Sequence, residues 1–152
     1  MSAKMTTERQ QFTGLMRFLH WLMAAMVLTM LGIGVAMVAS LGAYHLLLSI
    51  HRPLGIGILI LVVIRLATRL SSTLPAFPTT MSSPERLAAH ASEILLYTLL
   101  FVQPLVGWGT HTILAYLFFL AFVAHFGAVL FHTLIARDGL LDRMVPWRVR
   151  AR

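Results

Sequence analysis

The chain has 152 residues, 59% of them apolar and 11% charged, with a mean hydropathy of +0.84 and a formal net charge of +7. A soluble domain is about 45–50% apolar, and one of this length buries only about 70% of its unfolded surface. The composition therefore excludes a freely soluble enzyme, a disordered tail and an ordinary cytosolic domain. The absence of cysteine excludes disulfide frameworks, thiolate zinc sites, iron–sulfur clusters and covalently attached c-type haem.

Residues 1–14 are polar and basic, with Lys4 and Arg9. From Phe18 to Ala43 no residue is charged, a run longer than the roughly 7–15 apolar residues of a cleavable signal core, so it reads as an anchor. A second apolar run, Leu46 to Leu70, carries His51, Arg52 and Pro53 near its start and Arg65 and Arg69 near its end. The Ser/Thr/Pro segment from Ser71 to Pro84 reads as a loop. Ser83 as N-cap with Pro84 at the first position opens the next helix. The pattern predicts an all-α, four-helix transmembrane bundle in a single domain, with spans at approximately 15–43, 45–70, 84–108 and 111–135. There is no internal repeat.

The basic residues set the expected orientation. Lys4, Arg9, Arg17, Arg65, Arg69, Arg86, Arg137, Arg143, Arg148, Arg150 and Arg152 fall on one side of a four-span arrangement, and only Arg52 falls on the other. The positive-inside rule then places both termini and the second-to-third connection in the cytoplasm. The positive charge reads as a topology device facing lipid headgroups, ahead of nucleic-acid binding. Trp21, Trp108 and Trp147 lie near the expected interfaces, as belt residues do.

Seven histidines stand out in so apolar a chain. Ionisable groups within membrane spans are costly and commonly functional. His111 and His125 are fourteen residues apart, roughly 21 Å of helix rise and about 40° from one face. One helix thus presents an imidazole in each half of the bilayer. His20 offers a partner at the inner level and His51 at the outer level. By depth alone His132 competes with His125 as the partner of His20. One imidazole pair per leaflet is what two stacked haem b groups require. With both axial positions filled, the expected task is electron transfer.

A zinc site fits worse, because His125 and His132 are two turns apart, about 10.5 Å along the axis, and no HExxH occurs. Small residues four positions after a histidine (Ala24, Gly55, Ala115) would let a flat macrocycle approach the backbone, although small residues also simply pack membrane helices. Arg65 and Arg69 either snorkel to headgroups or pair with haem propionates, and Arg52 invites the propionate reading at the outer side. His45 reads as solvated. His90 reads as an interfacial group near the start of the third span, and a quinone pocket is expected there from Arg86, His90, Glu93 and His132. Gly32-Ile-Gly34 and Gly55-Ile-Gly57 lack the strand–turn–helix context of a dinucleotide loop.

These residues resemble the bacterial cytochrome b561 family, four-helix di-haem membrane cytochromes that include superoxide oxidase. The matching pieces are Arg17-Phe-Leu-His20-Trp21, Ile50-His51-Arg52-Pro-Leu-Gly55 running to Arg65-Leu-Ala-Thr-Arg69, and Ala89-His90 ahead of Ile94-Leu-Leu-Tyr97. They continue with Gln103-Pro104-Leu-Val-Gly107, His111-Thr-Ile-Leu-Ala-Tyr116, Ala124-His125, His132, Arg137-Asp138-Gly139 and Arg143-Met-Val-Pro146. The resemblance implies His20 with His125 on an inner haem and His51 with His111 on an outer one. It also implies electron exchange with ubiquinone, and superoxide as one donor at the outer face. One departure is the connection Gly107-Trp108-Gly109-Thr110, shorter than the family's outer segment, which would remove much of the cover over an outer haem. The rival readings are a haem-bearing accessory subunit of a larger respiratory complex and a haem-free structural membrane protein.

Overall fold

A computed structural model describes residues 11–106 and 108–145, and of Trp108 the backbone only. Lys4, Arg9, Gly107, Trp147, Arg148, Arg150 and Arg152 lie outside the described residues.

Four helices follow in order: α1 (Gly14–Ala39), α2 (Tyr44–Leu70), α3 (Ser83–Val102) and α4 (Trp108–Phe131). A short 3₁₀ turn, Gln103–Leu105, links α3 to α4. A π-helical turn, His132–Ala136, extends α4, and a second 3₁₀ turn spans Leu141–Arg143. No strand occurs among the described residues.

Local chemistry explains the boundaries. The Thr13 hydroxyl accepts from the Met16 N–H at 3.3 Å and caps α1. The cap of α3 is Ser82, one residue before the Ser83 expected from sequence. Glu85 decides this, because its carboxylate accepts from both the Ser82 N–H (2.6 Å) and the Ser82 hydroxyl (2.8 Å), which needs the acid three residues after the cap. Pro53 lies inside α2 without ending it. It removes the N–H that would bond the Ser49 carbonyl, a defect that membrane helices tolerate when neighbours surround it.

The interior is narrow. Met16, Leu19, Met23 and Val27 recur on one face of α1 and are buried. Leu19, Met23 and Val27 pack with Ile58, Leu61 and Val62 of α2, Leu99 of α3, and Phe118 and Ala121 of α4. Outside this seam large apolar side chains face outward, with Val38 84%, Leu87 71% and Ile135 70% exposed. An outer surface of that character suits lipid and would aggregate in water. Gly14–Ala39, Tyr44–Leu70 and Gly109–Ala136 are long and apolar enough to cross a membrane. The helix α3 is not among them. Its first half carries Glu85, Arg86, His90 and Glu93, so the span expected at 84–108 is not marked by the apolarity of this helix.

One end of the bundle is laced by the chain after α4. Arg17 donates to the Val145 carbonyl (2.9 Å) and to Gln11 Oε1 (3.0 Å). The Trp21 indole donates to the Met144 carbonyl at 2.7 Å, and the Phe12 N–H to the Arg143 carbonyl at 3.2 Å. Arg143 reaches across to the Ala76 carbonyl in the α2–α3 connection at 2.5 Å. Burial pulls the Arg143 guanidinium below its ordinary value, with Asp138 acting in the opposite direction. These contacts gather the start of α1, the α2–α3 connection and residues 138–145 at one end.

Candidate functional site

At the opposite end α2 and α4 bring two histidines together edge to face. The His51 and His111 ring centroids are 5.8 Å apart with an interplanar angle of 69°. The orientation of His111 is fixed by the end of α3. Its Nδ1 lies 2.8 Å from the Gln103 carbonyl oxygen. A carbonyl can only accept, so Nδ1 carries the proton and the Nε2 lone pair is left available. The Gln103 side chain answers with its own donation to the His111 carbonyl, Nε2 to oxygen, at 3.0 Å. Sequence reasoning assigned no role to Gln103. A polar residue followed by proline at the end of an apolar run was the available signal. On the other ring, His51 Nδ1 is buried and has no hydrogen-bond partner.

Nearer the laced end, His20 of α1, His125 of α4 and Arg65 of α2 lie within electrostatic reach of one another. His20 and His125 thus lie toward the laced end and His51 and His111 toward the other. The competitor His132 is occupied elsewhere. It is buried, and its Nδ1 stands 2.6 Å from Asp138 Oδ2. Six residues separate these partners, which is not a helical neighbour spacing. The π turn and the left-handed backbone at Arg137 (φ 51°, ψ 36°) bend the chain back to join them. Asp138 is locked in turn by the Leu140 N–H on its other oxygen, at 3.0 Å.

The remaining candidates have distinct partners. Arg65 Nε donates to Tyr97 Oη at 2.9 Å, and Arg69 pairs with Glu93 at 2.5 Å. Both arginines are bound to α3 side chains, an option beyond the snorkelling and propionate readings. Arg86 donates to the Met81 and Pro78 carbonyls, and His90 meets Phe77 edge-on at 5.0 Å. Arg86, His90, Glu93 and His132 therefore share no partner among these contacts. Arg52 and His45 are exposed. A Cβ on Gly55 would meet the Met30 methyl at 3.5 Å, so this glycine sits where α2 passes α1.

These features define a polytopic helical membrane protein carrying facing imidazoles inside its bundle. The chain belongs to the prokaryotic cytochrome b561 family, whose profile matches residues 11–110. It is 36% identical over 92 residues to cytochrome b561 homolog 2 of Escherichia coli (strain K12), a stretch covering 59% of this chain and 49% of that protein. The chain thus spans about half the length of that curated relative. No solved structure gives a significant match. The family profile contains His20 and His51 and ends before His111 and His125, so for those two the local geometry carries the argument.

Family membership implies haem b and electron transfer. The outer pair fits such a group. Imidazoles bonded to one metal from opposite sides stand about 6 Å apart between centroids, given metal–nitrogen bonds of about 2 Å, and the observed separation is 5.8 Å. Direct edge-to-face packing of two rings allows a similar distance. What separates the two arrangements is the donor chemistry: His111 has its outer nitrogen tied to a carbonyl in the manner of metal-ligating histidines, and a buried, unpartnered His51 nitrogen is costly in a merely packed pair.

Proposed function

We propose that this protein is an inner-membrane, di-haem b-type cytochrome that passes electrons between the ubiquinone pool and a redox partner at the outer face, with superoxide as one candidate donor. His51 and His111 hold the outer haem, and His20 and His125 the inner one. Both termini face the cytoplasm, and α3 completes a four-span bundle. The observation that carries the reading is the His51–His111 pair with His111 oriented by Gln103.

When bound, the two haems supply one-electron carriers at two depths. The protein's own residues do the rest. His51, His111, His20 and His125 would hold the two haems and would leave no open metal position for other ligands. The Gln103 carbonyl holds the proton on His111 Nδ1, and the apolar seam of Leu19, Met23, Ile58, Leu61, Val62 and Phe118 excludes water between the two levels. Arg52, exposed at the outer level, suits a propionate, whereas Arg65 and Arg69 at the inner level are held by Tyr97 and Glu93. Arg86, His90, Glu93 and His132 lie toward the laced end, on the side assigned to quinone.

The test is an optical spectrum of the detergent-purified protein with a pyridine haemochrome assay. The expected result is sharp low-spin α and β bands on reduction and two haems per chain. His51→Ala or His111→Ala should each remove one haem, and His20→Ala or His125→Ala the other. A featureless spectrum from cells supplied with haem would leave the structural reading. Stopped-flow consumption of superoxide with added ubiquinone tests the proposed donor. Ubiquinone reduction persisting in a His90→Ala, Glu93→Gln double variant would dismiss those two residues from the quinone site.

A further inference from the structure

The two arginines one turn apart on α2 are bound to α3 in different ways. Arg69 is matched by a carboxylate, Glu93, at 2.5 Å. Arg65 is matched by a neutral phenol: Nε donates to Tyr97 Oη at 2.9 Å, and the guanidinium carbon stands 5.8 Å from the Tyr97 ring centroid. The first pair cancels in charge. The second leaves a full positive charge, since a guanidinium does not lose its proton in proteins. Both residues are partly buried, and Arg65 lies one helical turn after Leu61, which shares a packed cluster with Leu19, next to His20, and with Ala121, one turn before His125. An arginine near a helix end would otherwise extend its flexible stem to the headgroups. The phenol gives it both a hydrogen-bond acceptor and a ring face, each absent from a purely apolar α3.

We propose that Tyr97 is a positioning residue that fixes the Arg65 charge beside the His20/His125 pair, and that this charge raises the reduction potential of the inner haem relative to a bundle without it. Adding an electron to a metal centre removes one unit of positive charge, so a fixed cation nearby stabilises the reduced form. The effect is large because the apolar interior screens weakly compared with water. The inference rests on the di-haem reading above and adds to it one residue, Tyr97, and a reason why Arg65 has a phenol where Arg69 has an acid.

The experiment is an anaerobic redox titration of the full-length protein followed at the α band, with haem content measured in parallel. The inner component is assigned as the one lost in His20→Ala. In Arg65→Leu the reduced-to-oxidised ratio of the inner haem at a given ambient potential should fall about tenfold, equivalent to about 59 mV for a one-electron couple. In Tyr97→Phe, which keeps the ring and frees the arginine, it should fall about threefold in the same direction. The outer component should not move in either. If both variants retain two haems and titrate as the wild type does, the inference is overturned and the di-haem reading stands. If Arg65→Leu shifts but Tyr97→Phe does not, the positioning role of Tyr97 is overturned. Should Arg65→Leu lose haem, the conservative Tyr97→Phe decides alone. A wild-type preparation without two haems overturns the underlying reading, and the inference with it.

Discussion

Replacing Gln103 by leucine separates orientation of a ligand from stability of the bundle. The substitution removes the 3.0 Å bond from Gln103 Nε2 to the His111 carbonyl, for which a net contribution of about 1 kcal/mol is typical. It also removes Gln103 Oε1, which is buried with no partner, and relieving an orphaned acceptor returns about 1–3 kcal/mol. The two changes nearly cancel, so the melting temperature should stay close to that of the wild type. The backbone acceptor for His111 Nδ1 remains in Gln103→Leu, but the side-chain bond that pins it against α4 is gone. Losing an outer-shell contact of this kind weakens metal binding by about 10–100-fold. Because half of the clamp survives, the lower end is expected, about tenfold in loss of the outer haem. The assay is competition for haem by apomyoglobin, following the spectral component absent from His51→Ala. The inner component should hold as before. Equal loosening of both components, or unchanged retention of the outer one, would refute the reasoning.

Three further outcomes follow from the packing. Asp138→Ala breaks a buried pair with His132 and frees the Leu140 N–H, so the turn after α4 should lose on the order of 3 kcal/mol, measured as faster amide exchange over residues 132–145. Gly57→Ala should be nearly neutral, because its new Cβ meets the mobile Met26 methyl at 3.2 Å. Gly57→Leu should destabilise the α1–α2 contact by about 1–3 kcal/mol, read as a lower melting temperature in detergent. Trp21→Phe removes the 2.7 Å bond to the Met144 carbonyl and should speed proteolysis within residues 138–145, leaving haem content unchanged.

Much of the architecture follows from the order of residues. Apolar runs of membrane length announce α1, α2 and α4, because every backbone polar group in hydrocarbon must be satisfied within its own helix. The loop Ser71–Pro84 is announced by its prolines and hydroxyls. The start of α3 was misplaced by one residue, since a Ser-Ser-Pro string offers two caps and only the reach of the Glu85 carboxylate chooses Ser82. The four central histidines were legible for a similar reason: helical rise converts spacing into depth, and depth sorts imidazoles into levels.

Partnership across helices was not legible in that way. Spacing could not show that His132 is turned onto Asp138 through a π turn and a left-handed residue. Nor could it show that Arg65 finds a phenol and Arg69 a carboxylate, since each pair joins residues more than twenty positions apart on different helices. The sequence alone thus determined that the chain is a helical membrane protein with imidazoles at two depths, through hydrophobicity and periodicity, which act along one helix at a time. Only the tertiary structure decided which nitrogen is held by Gln103, which histidine is taken by Asp138 and which arginine is paired with a carboxylate. Those outcomes depend on how neighbouring helices are rotated about their axes, and no single helix encodes that.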